Sequence, residues 1–299
     1  MNGVHMDALQ SLIDLISRHA ATDGIHDTPI AGVSLVRSGQ PTVPMPVVYE
    51  PTLCLIAQGR KHVVAGSASY VYDAATYLVA SVGIPVMGSV IEASEQAPYL
   101  CLVLDLDMSA LSDLALRHPT PDETRDLPVS GIELNTITPP LLDAAVRLVG
   151  LLDTPADIGE LAPLIIREML YRLLIGNSNG VIRQMARADS RLSQIARSIA
   201  WLRSHYHESC RIEDMADIAG MSRSTFHEHF KAVTAMTPLE FRSQLRLQEA
   251  RRLMVAQAFD AAGAGYRVGY ESPSQFSRDY GRMFGLPPGK DAERLRRMT

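Results

Sequence analysis

The chain has 299 residues, 46% of them hydrophobic and 20% charged, with a net charge of -5. That length suits two domains, and the aliphatic content is high enough for two sizeable cores. No run approaches the eighteen or so apolar residues of a membrane span, so no helical membrane segment is expected.

The net charge hides an asymmetry. Residues 1–180 hold 9 basic and 20 acidic side chains, and residues 181–299 hold 19 and 13. A basic C-terminal part joined to an acidic N-terminal part is expected if only the former touches phosphate. The three cysteines, Cys54, Cys101 and Cys210, are odd in number and widely spaced. They fit free thiols in a reducing compartment, and neither a CxxC pair nor a zinc-ligand spacing exists.

At the start of the chain, residues 1–20 carry Asp7, Asp14, Arg18 and His19 and hold no long apolar core, so no export signal is expected and the compartment should be the cytoplasm. Short strand-like runs follow at 47–48, 53–57, 62–64, 70–72, 77–80, 86–91 and 100–106. Gln58-Gly59, Gly66-Ser67, Asp73-Ala74 and Val82-Gly83 supply turns between them. This spacing predicts an antiparallel barrel or sandwich. Within it, Cys54 and Cys101 read as small buried hydrophobes. The alternative is a thiol that senses an aldehyde or oxidant, which needs exposure and a positive neighbour such as Arg60 or Lys61. His62 stands alone, so a metal site lacks its ligands and no metal, cofactor or catalytic residue is expected. Cys54, His62, Tyr77, Met87 and Tyr99 are the candidates for lining a pocket.

Helical patterns come next. Thr138-Pro139 opens one with Leu141, Leu142, Ala145, Leu148, Val149 and Leu152 as its apolar set. Thr154-Pro155-Ala156-Asp157 reads as a capping box opening the next. That second helix is apolar around much of its circumference, through Leu161, Leu164, Ile165, Met169, Leu170, Leu173 and Leu174. Such a helix needs cover on two sides. A homodimer joined through Leu161, Leu164, Ile165 and Leu170 would supply one side and the barrel the other, leaving Arg167 and Arg172 wet. Gly176-Asn177-Ser178-Asn179-Gly180 breaks the pattern and reads as a hinge, followed by a short helix over 181–188.

The C-terminal part contains a repeat. Residues 215–238 (MADIAGMSRSTFHEHFKAVTAMTP) align with 262–288 (AGAGYRVGYESPSQFSRDYGRMFGLPP) when Phe226 is set on Phe276. Phe230 then meets Tyr280, and Pro238 meets Pro288. Each copy has a small-residue helix, a turn glycine (Gly220, Gly269), a serine that can cap a second helix (Ser222, Ser272) and a closing proline. That is a helix-turn-helix written twice. In each second helix two aromatics four residues apart share the buried face. The opposite faces carry Arg223, Ser224, Thr225, His227, Glu228 and Lys231, and Ser274, Gln275, Ser277, Arg278 and Arg282. These side chains can bond bases or phosphates. Thr237-Pro238-Leu239-Glu240 is a further capping box. It opens a connecting helix roughly 28 Å long at 1.5 Å per residue, which suits two recognition helices one DNA turn of about 34 Å apart.

Residues 192–298 resemble the DNA-binding domain of the AraC/XylS family of bacterial transcription regulators. The words that carry the resemblance are Ala216-Asp217-Ile218-Ala219-Gly220-Met221-Ser222, then 268–278 from Val268-Gly269-Tyr270 to Ser277-Arg278, and Phe284-Gly285-Leu286-Pro287-Pro288. Glu50-Pro51-Thr52-Leu53-Cys54-Leu55, Gln58-Gly59-Arg60-Lys61, Tyr77-Leu78-Val79 and Glu92-Ala93-Ser94 with Ala97-Pro98-Tyr99-Leu100 resemble the N-terminal domain of AraC-type regulators. One departure is visible: the family places an aromatic shortly after the final proline, as Phe241 follows Pro238, but Gly289-Lys290-Asp291-Ala292 follows Pro288. That puts the packing of the last helix in doubt. Gly263 and Gly265 should also weaken the first helix of the second copy by roughly 1 kcal/mol each relative to alanine.

The resemblance implies an α+β chain in three parts. Residues 1–135 would form a cupin-like β-barrel that senses a small-molecule effector, 136–180 a helical dimerisation and linker segment, and 181–299 an all-α domain with two helix-turn-helix units. The implied partners are double-stranded promoter DNA, an effector, a second copy of the chain and RNA polymerase, with no membrane. Two other classes remain: a constitutive DNA-binding regulator with a structural barrel, and a cupin-like enzyme fused to a DNA-binding domain.

Overall fold

Pairing in the N-terminal half produces two antiparallel sheets. The computed structural model describes residues 3–74, 76–119, 129–176 and 180–297. A leading helix α1 (Gly3–His19) precedes β1 (Gly24–Asp27), β2 (Val33–Ser38), β3 (Met45–Tyr49), β4 (Thr52–Gln58), β5 (Arg60–Ala65), β6 (Ala68–Asp73), β7 (Thr76–Ala80), β8 (Ile84–Glu92) and β9 (Tyr99–Asp105). Helix α2 (Met108–Arg117) and β10 (Ile132–Thr136) follow. One sheet runs β1-β2-β9-β4-β7-β10 and the other β3-β8-β5-β6.

The expected barrel does not close. Among the described residues no strand pairs from one sheet to the other, and the domain is a two-sheet sandwich. Closure needs a partner on both sides of every strand. The edges here are poor pairing surfaces: β3 carries Pro46, which has no N–H, and β1 is only four residues long.

Strand parity sorts the interior. Cys54 pairs with Val103 and Ile56 with Cys101, so these four share the face of the large sheet turned toward the small one. Leu53 and Leu55 point the other way, where α1 packs on β4 and β9. With both faces covered, β4 is buried from Thr52 to Ala57. In the small sheet Lys61 lies opposite Tyr72 on one side and Val90 on the other.

Helices cover the outer face. α3 (Pro139–Gly150) opens at Thr138 with proline at its first position and buries Leu141, Leu142, Ala145, Leu148 and Val149. α4 (Ile158–Ile175) packs on α2 and α3. Its start differs from expectation. Thr154 makes no side-chain cap; instead the Asp157 N–H donates to the Thr154 carbonyl at 2.9 Å, so 155–157 forms a 3₁₀ turn and α4 begins at Ile158. Two sides of α4 are therefore covered by helices of its own chain. Arg167 reaches Asp113 of α2 at 2.9 Å, and Arg147 of α3 and Arg172 both hold Glu168, each at 2.6 Å.

Of the expected hinge, Asn177, Ser178 and Asn179 lie outside the described residues. The rest of the chain is helical: α5 (Val181–Met185), α6 (Arg191–His205), α7 (Ile212–Ala219), α8 (Arg223–Thr234), α9 (Pro238–Ala256), α10 (Ala261–Arg267), α11 (Pro273–Phe284) and α12 (Pro288–Arg296). The chain forms two compact units, the first running to Gln194 and the second holding most of the residues beyond it.

Candidate nucleic-acid interface and effector cavity

The two helix-turn-helix units are built alike and locked differently. In the first, Gly220 ends α7 in the left-handed conformation at φ 67°. Ser222 Oγ then accepts the Thr225 N–H at 3.3 Å and starts α8. Phe226 and Phe230 are fully buried, and the Phe230 ring meets Phe241 of α9 edge-on at 5.4 Å. Thr237 and Glu240 make both bonds of their capping box, Glu240 N–H to Thr237 Oγ1 at 3.3 Å and Thr237 N–H to Glu240 Oε2 at 2.8 Å.

In the second unit Gly269 has φ 90°, and a Cβ there would run into the His207 carbonyl. The turn is one residue longer, since Ser272 stands three places after its glycine where Ser222 stands two. Ser272 Oγ accepts the Gln275 N–H at 3.4 Å. Gly265 is more than a weak spot in α10: an added Cβ would lie 2.9 Å from Phe276 Cγ, so the absent side chain is what lets the fully buried ring approach.

The missing aromatic after Pro288 has a replacement. Asp291 stands where the repeat places Phe241, and it is fully buried. Its carboxylate accepts from Arg251 Nε at 2.8 Å and Nη2 at 3.2 Å, from Tyr280 Oη at 2.9 Å and from Arg294 Nη2 at 2.9 Å. The Arg251 guanidinium also lies 4.4 Å from the Phe284 ring centre. Burial, then the adjacent Asp291 charge, pushes the Tyr280 phenol far above its usual value, so it stays a donor. An aromatic contact in the first unit is thus an ionic lock in the second.

The faces opposite the aromatics are open. Ser224, His227, Glu228 and Lys231 are all exposed and spaced i, i+3, i+4, i+7, which is one stripe along α8. Arg223 is exposed beside it and pairs with Glu213 at 3.1 Å. Thr225 is half-buried and bonded to Ser222 Oγ at 2.9 Å, which commits it to the cap. On α11 Ser274, Gln275, Ser277, Arg278 and Arg282 are exposed. By the repeat, Glu228 corresponds to Arg278 and Lys231 to Gly281, so the two stripes are not copies.

Between the sheets of the first unit lies a cavity of about 750 Å3. Cys54 and Tyr99 line it, together with Tyr49, Lys61, Val36, Val47, Ser89 and Val103. His62, Tyr77 and Met87 do not. His62 has the opposite strand parity to Lys61 and bonds Ser69 Oγ at 2.8 Å. Tyr77 lies opposite Leu55, on the helix-covered side of the large sheet. Met87 lies opposite Val64, one place from the Val63–Gly88 pair that shares the parity of Lys61.

Both cysteines are buried, which removes the exposure that a reactive thiol needs. The neighbouring Cys101 and then burial push the Cys54 thiol well up. Lys61 was the pocket residue hardest to see in sequence, yet it shares the parity of buried Val63 and Ala65. Burial weighs against its charge, but Tyr49, Cys54 and Cys101 favour it and leave its pKa raised. Among the described residues no carboxylate pairs with it. At the cavity's other lining positions Glu50 and Asp105 are exposed, and burial followed by the Glu50 charge raises Asp105. No group of three or more His, Cys, Asp or Glu residues that could hold a metal occurs among the described residues.

Two family profiles cover this architecture. The AraC-type transcriptional regulator N-terminus matches residues 29–181, just over half of the chain, and a helix-turn-helix domain matches 215–294. The chain belongs to the AraC-type transcriptional regulators. The HTH-type transcriptional activator RhaS of Citrobacter koseri is 29% identical over 153 residues, 49% of this chain and 54% of its own. RhaS of Salmonella schwarzengrund is 28% identical over 159 residues, 51% and 56% of the two chains. The chain thus spans about half the length of these curated relatives. Among solved structures, ToxT from Vibrio cholerae aligns over 87% of this chain and 93% of its own, with a TM-score of 0.52 and 14% identity, a likeness of fold alone.

The dimer candidates separate on α4. Leu161 and Leu164 are 43% and 63% exposed, whereas Ile165 and Leu170 are 8% and 0% exposed and belong to the unit's own core.

Proposed function

We propose that this chain is a sequence-specific transcription regulator in which α8 and α11 bind promoter DNA and the N-terminal sandwich senses a small molecule. The observation that carries the reading is the pair of capped helices, each with two aromatics fully buried on one side and an open row of polar side chains on the other. α9, with 19 residues, spans about 28 Å between the units, close to one turn of DNA at about 34 Å. His227, Glu228, Gln275 and Arg278 are read as base contacts, and Arg223, Lys231 and Arg282 as phosphate contacts, with the remaining serines supporting the fit.

A cavity of this size favours an effector over a purely structural sandwich, because small-molecule sites commonly span roughly 300–1,000 Å3. The domain plan of residues 1–135, 136–180 and 181–299 remains the working division. A homodimer joined through the exposed Leu161 and Leu164, RNA polymerase as a further partner, as suits a relative of proteins named activators, and a cytoplasmic setting complete the proposal. No catalytic role is part of it.

The test is footprinting of the full chain on DNA upstream of its own gene, with a salt titration. A protected region covering two successive major-groove segments, with affinity falling steeply as salt rises, is the expected result. No protected segment there or in a genome-wide pull-down of fragments would sink the reading.

A further inference from the structure

The cavity in the sandwich has an unbalanced chemistry. Among the described residues the buried hydroxyls of Tyr49 and Tyr99 have no partner at good hydrogen-bond distance, with Lys61 and Tyr72 around the former and Cys101 around the latter. Tyr49 is 7% exposed and Tyr99 0%. Lys61 Nζ lies 5.5 Å from the Tyr49 ring centre and its residue lines the same cavity as Tyr99, and no carboxylate pairs with it among the described residues.

Buried polar groups are almost always satisfied, and a group that is not needs a reason. Here the reason has one sign. An ammonium has only donors, and each phenol has a proton to give. What the cluster lacks is an acceptor carrying negative charge. The acids that line the same cavity do not supply it. Asp23 is held by Arg37 at 2.9 Å, and Glu50 and Asp105 are exposed to solvent.

We propose that this cavity binds a small organic acid, its carboxylate seated on Lys61, Tyr49 and Tyr99 and its apolar body lying along Val36, Val47 and Val103. This rests on the sensing role proposed above for the same cavity and names the class of molecule sensed. A cationic ligand would face the ammonium. A sugar would bring no negative charge to offset the ammonium. A carboxylate has two oxygens and about four lone-pair positions, enough for all three groups at once.

The experiment is calorimetry and thermal melting of the full chain with octanoate, dodecanoate and naphthoate, each beside the alcohol of the same skeleton. At least one acid should bind about tenfold or more tightly than its alcohol and raise the melting temperature. Lys61→Met should abolish that preference, and Tyr49→Phe should weaken the acid several-fold while leaving the alcohol unchanged. Unliganded Lys61→Met should melt no lower than the parent, because it removes a buried charge that no carboxylate among the described residues offsets; this separates a lost site from a lost fold.

The proposal is overturned if no acid binds, if alcohols bind as tightly as acids, or if the preference for acids survives Lys61→Met. Operator binding measured with the same compounds keeps the two readings apart. An alcohol that binds and alters DNA affinity leaves sensing intact and refutes the acid class. An acid that binds through Lys61 without altering DNA affinity keeps the site and refutes its role as the sensor.

Discussion

Replacing Asp291 with alanine should unlock the second helix-turn-helix unit. The carboxylate is fully buried and accepts four hydrogen bonds, two of them from Arg251, whose side chain is 7% exposed. Removing one partner of a buried ion pair costs about 3–5 kcal/mol, because the other charge is left without compensation. The Tyr280 hydroxyl also loses its acceptor, worth about 1–3 kcal/mol alone. The two losses share one site and do not add, so about 3–5 kcal/mol is expected for Asp291→Ala. Tyr280→Phe removes one donor of four and should cost about 1.5 kcal/mol. The double change Arg251→Met with Asp291→Leu should recover most of the loss, since a packed apolar pair can replace a buried ionic one. Urea unfolding followed through Trp201, the only tryptophan and a member of the second unit, measures the unit as a whole. Amide exchange in α11 and α12 measures the local opening. A loss below about 1 kcal/mol in Asp291→Ala, or a double variant no better than the single, would refute the argument.

Four further outcomes are expected. Gly220→Ala should cost about 1–2 kcal/mol, the penalty of left-handed backbone alone, since no described residue lies within 4 Å of an added Cβ. Gly269→Ala should cost about 3 kcal/mol or more, because it adds collision with the His207 carbonyl, and paired denaturation curves compare the two. In ultracentrifugation Leu164→Glu should dissociate a dimer and leave the fold intact, whereas Leu170→Glu should unfold the sandwich unit; a dimer untouched by Leu164→Glu removes α4 from the interface. Gln275→Ala and Arg278→Ala should each cost about 1–3 kcal/mol on the operator and relax preference at one base position, whereas Lys231→Ala should weaken all sequences alike and lower the salt slope; unchanged selectivity in the first two counts against base contact. Arg147, ahead of Arg172, holds the Glu168 carboxyl below its ordinary value despite burial. Its stabilisation is therefore full above the unfolded value of about 4.3 and lost as pH falls through the lower folded value. Melting scans of Glu168→Gln should show a flatter acid limb than the parent, and an identical limb refutes the assignment.

The helix-turn-helix pair was legible because duplication supplies its own control: two aromatics, a cap and a proline recur at fixed offsets. The strands were legible where apolar residues run continuously, as in β4 and β9, which are covered on both faces. Whether the sheets would close was not, since closure depends on edge pairing that periodicity does not encode. Helix α1 went unread, although Leu12 and Ile16 are four apart and fully buried. On α4 the apolar residues surround the helix, so sequence could not say that Leu164 faces out and Leu170 in. The Asp291 lock was read as a missing aromatic because its partner, Arg251, lies forty places earlier in the chain. Lys61 carried a usable signal in its parity with Val63 and Ala65, hidden by the polar Arg60 and His62 beside it.

The mismatch between Glu228 and Arg278 has a consequence for geometry on DNA. A symmetric dimer of identical readers sits on a palindrome and looks the same from either end. One chain with two unlike readers in fixed order has no such axis. A carboxylate accepts from the cytosine amino group, while a guanidinium donates to the guanine edge. The stretch of duplex that suits α8 would not suit α11, and a reversed site would present each helix with the wrong half. On the proposed reading a single chain is therefore a directional mark: it points along the duplex, and inverting its site moves its first unit to the other flank.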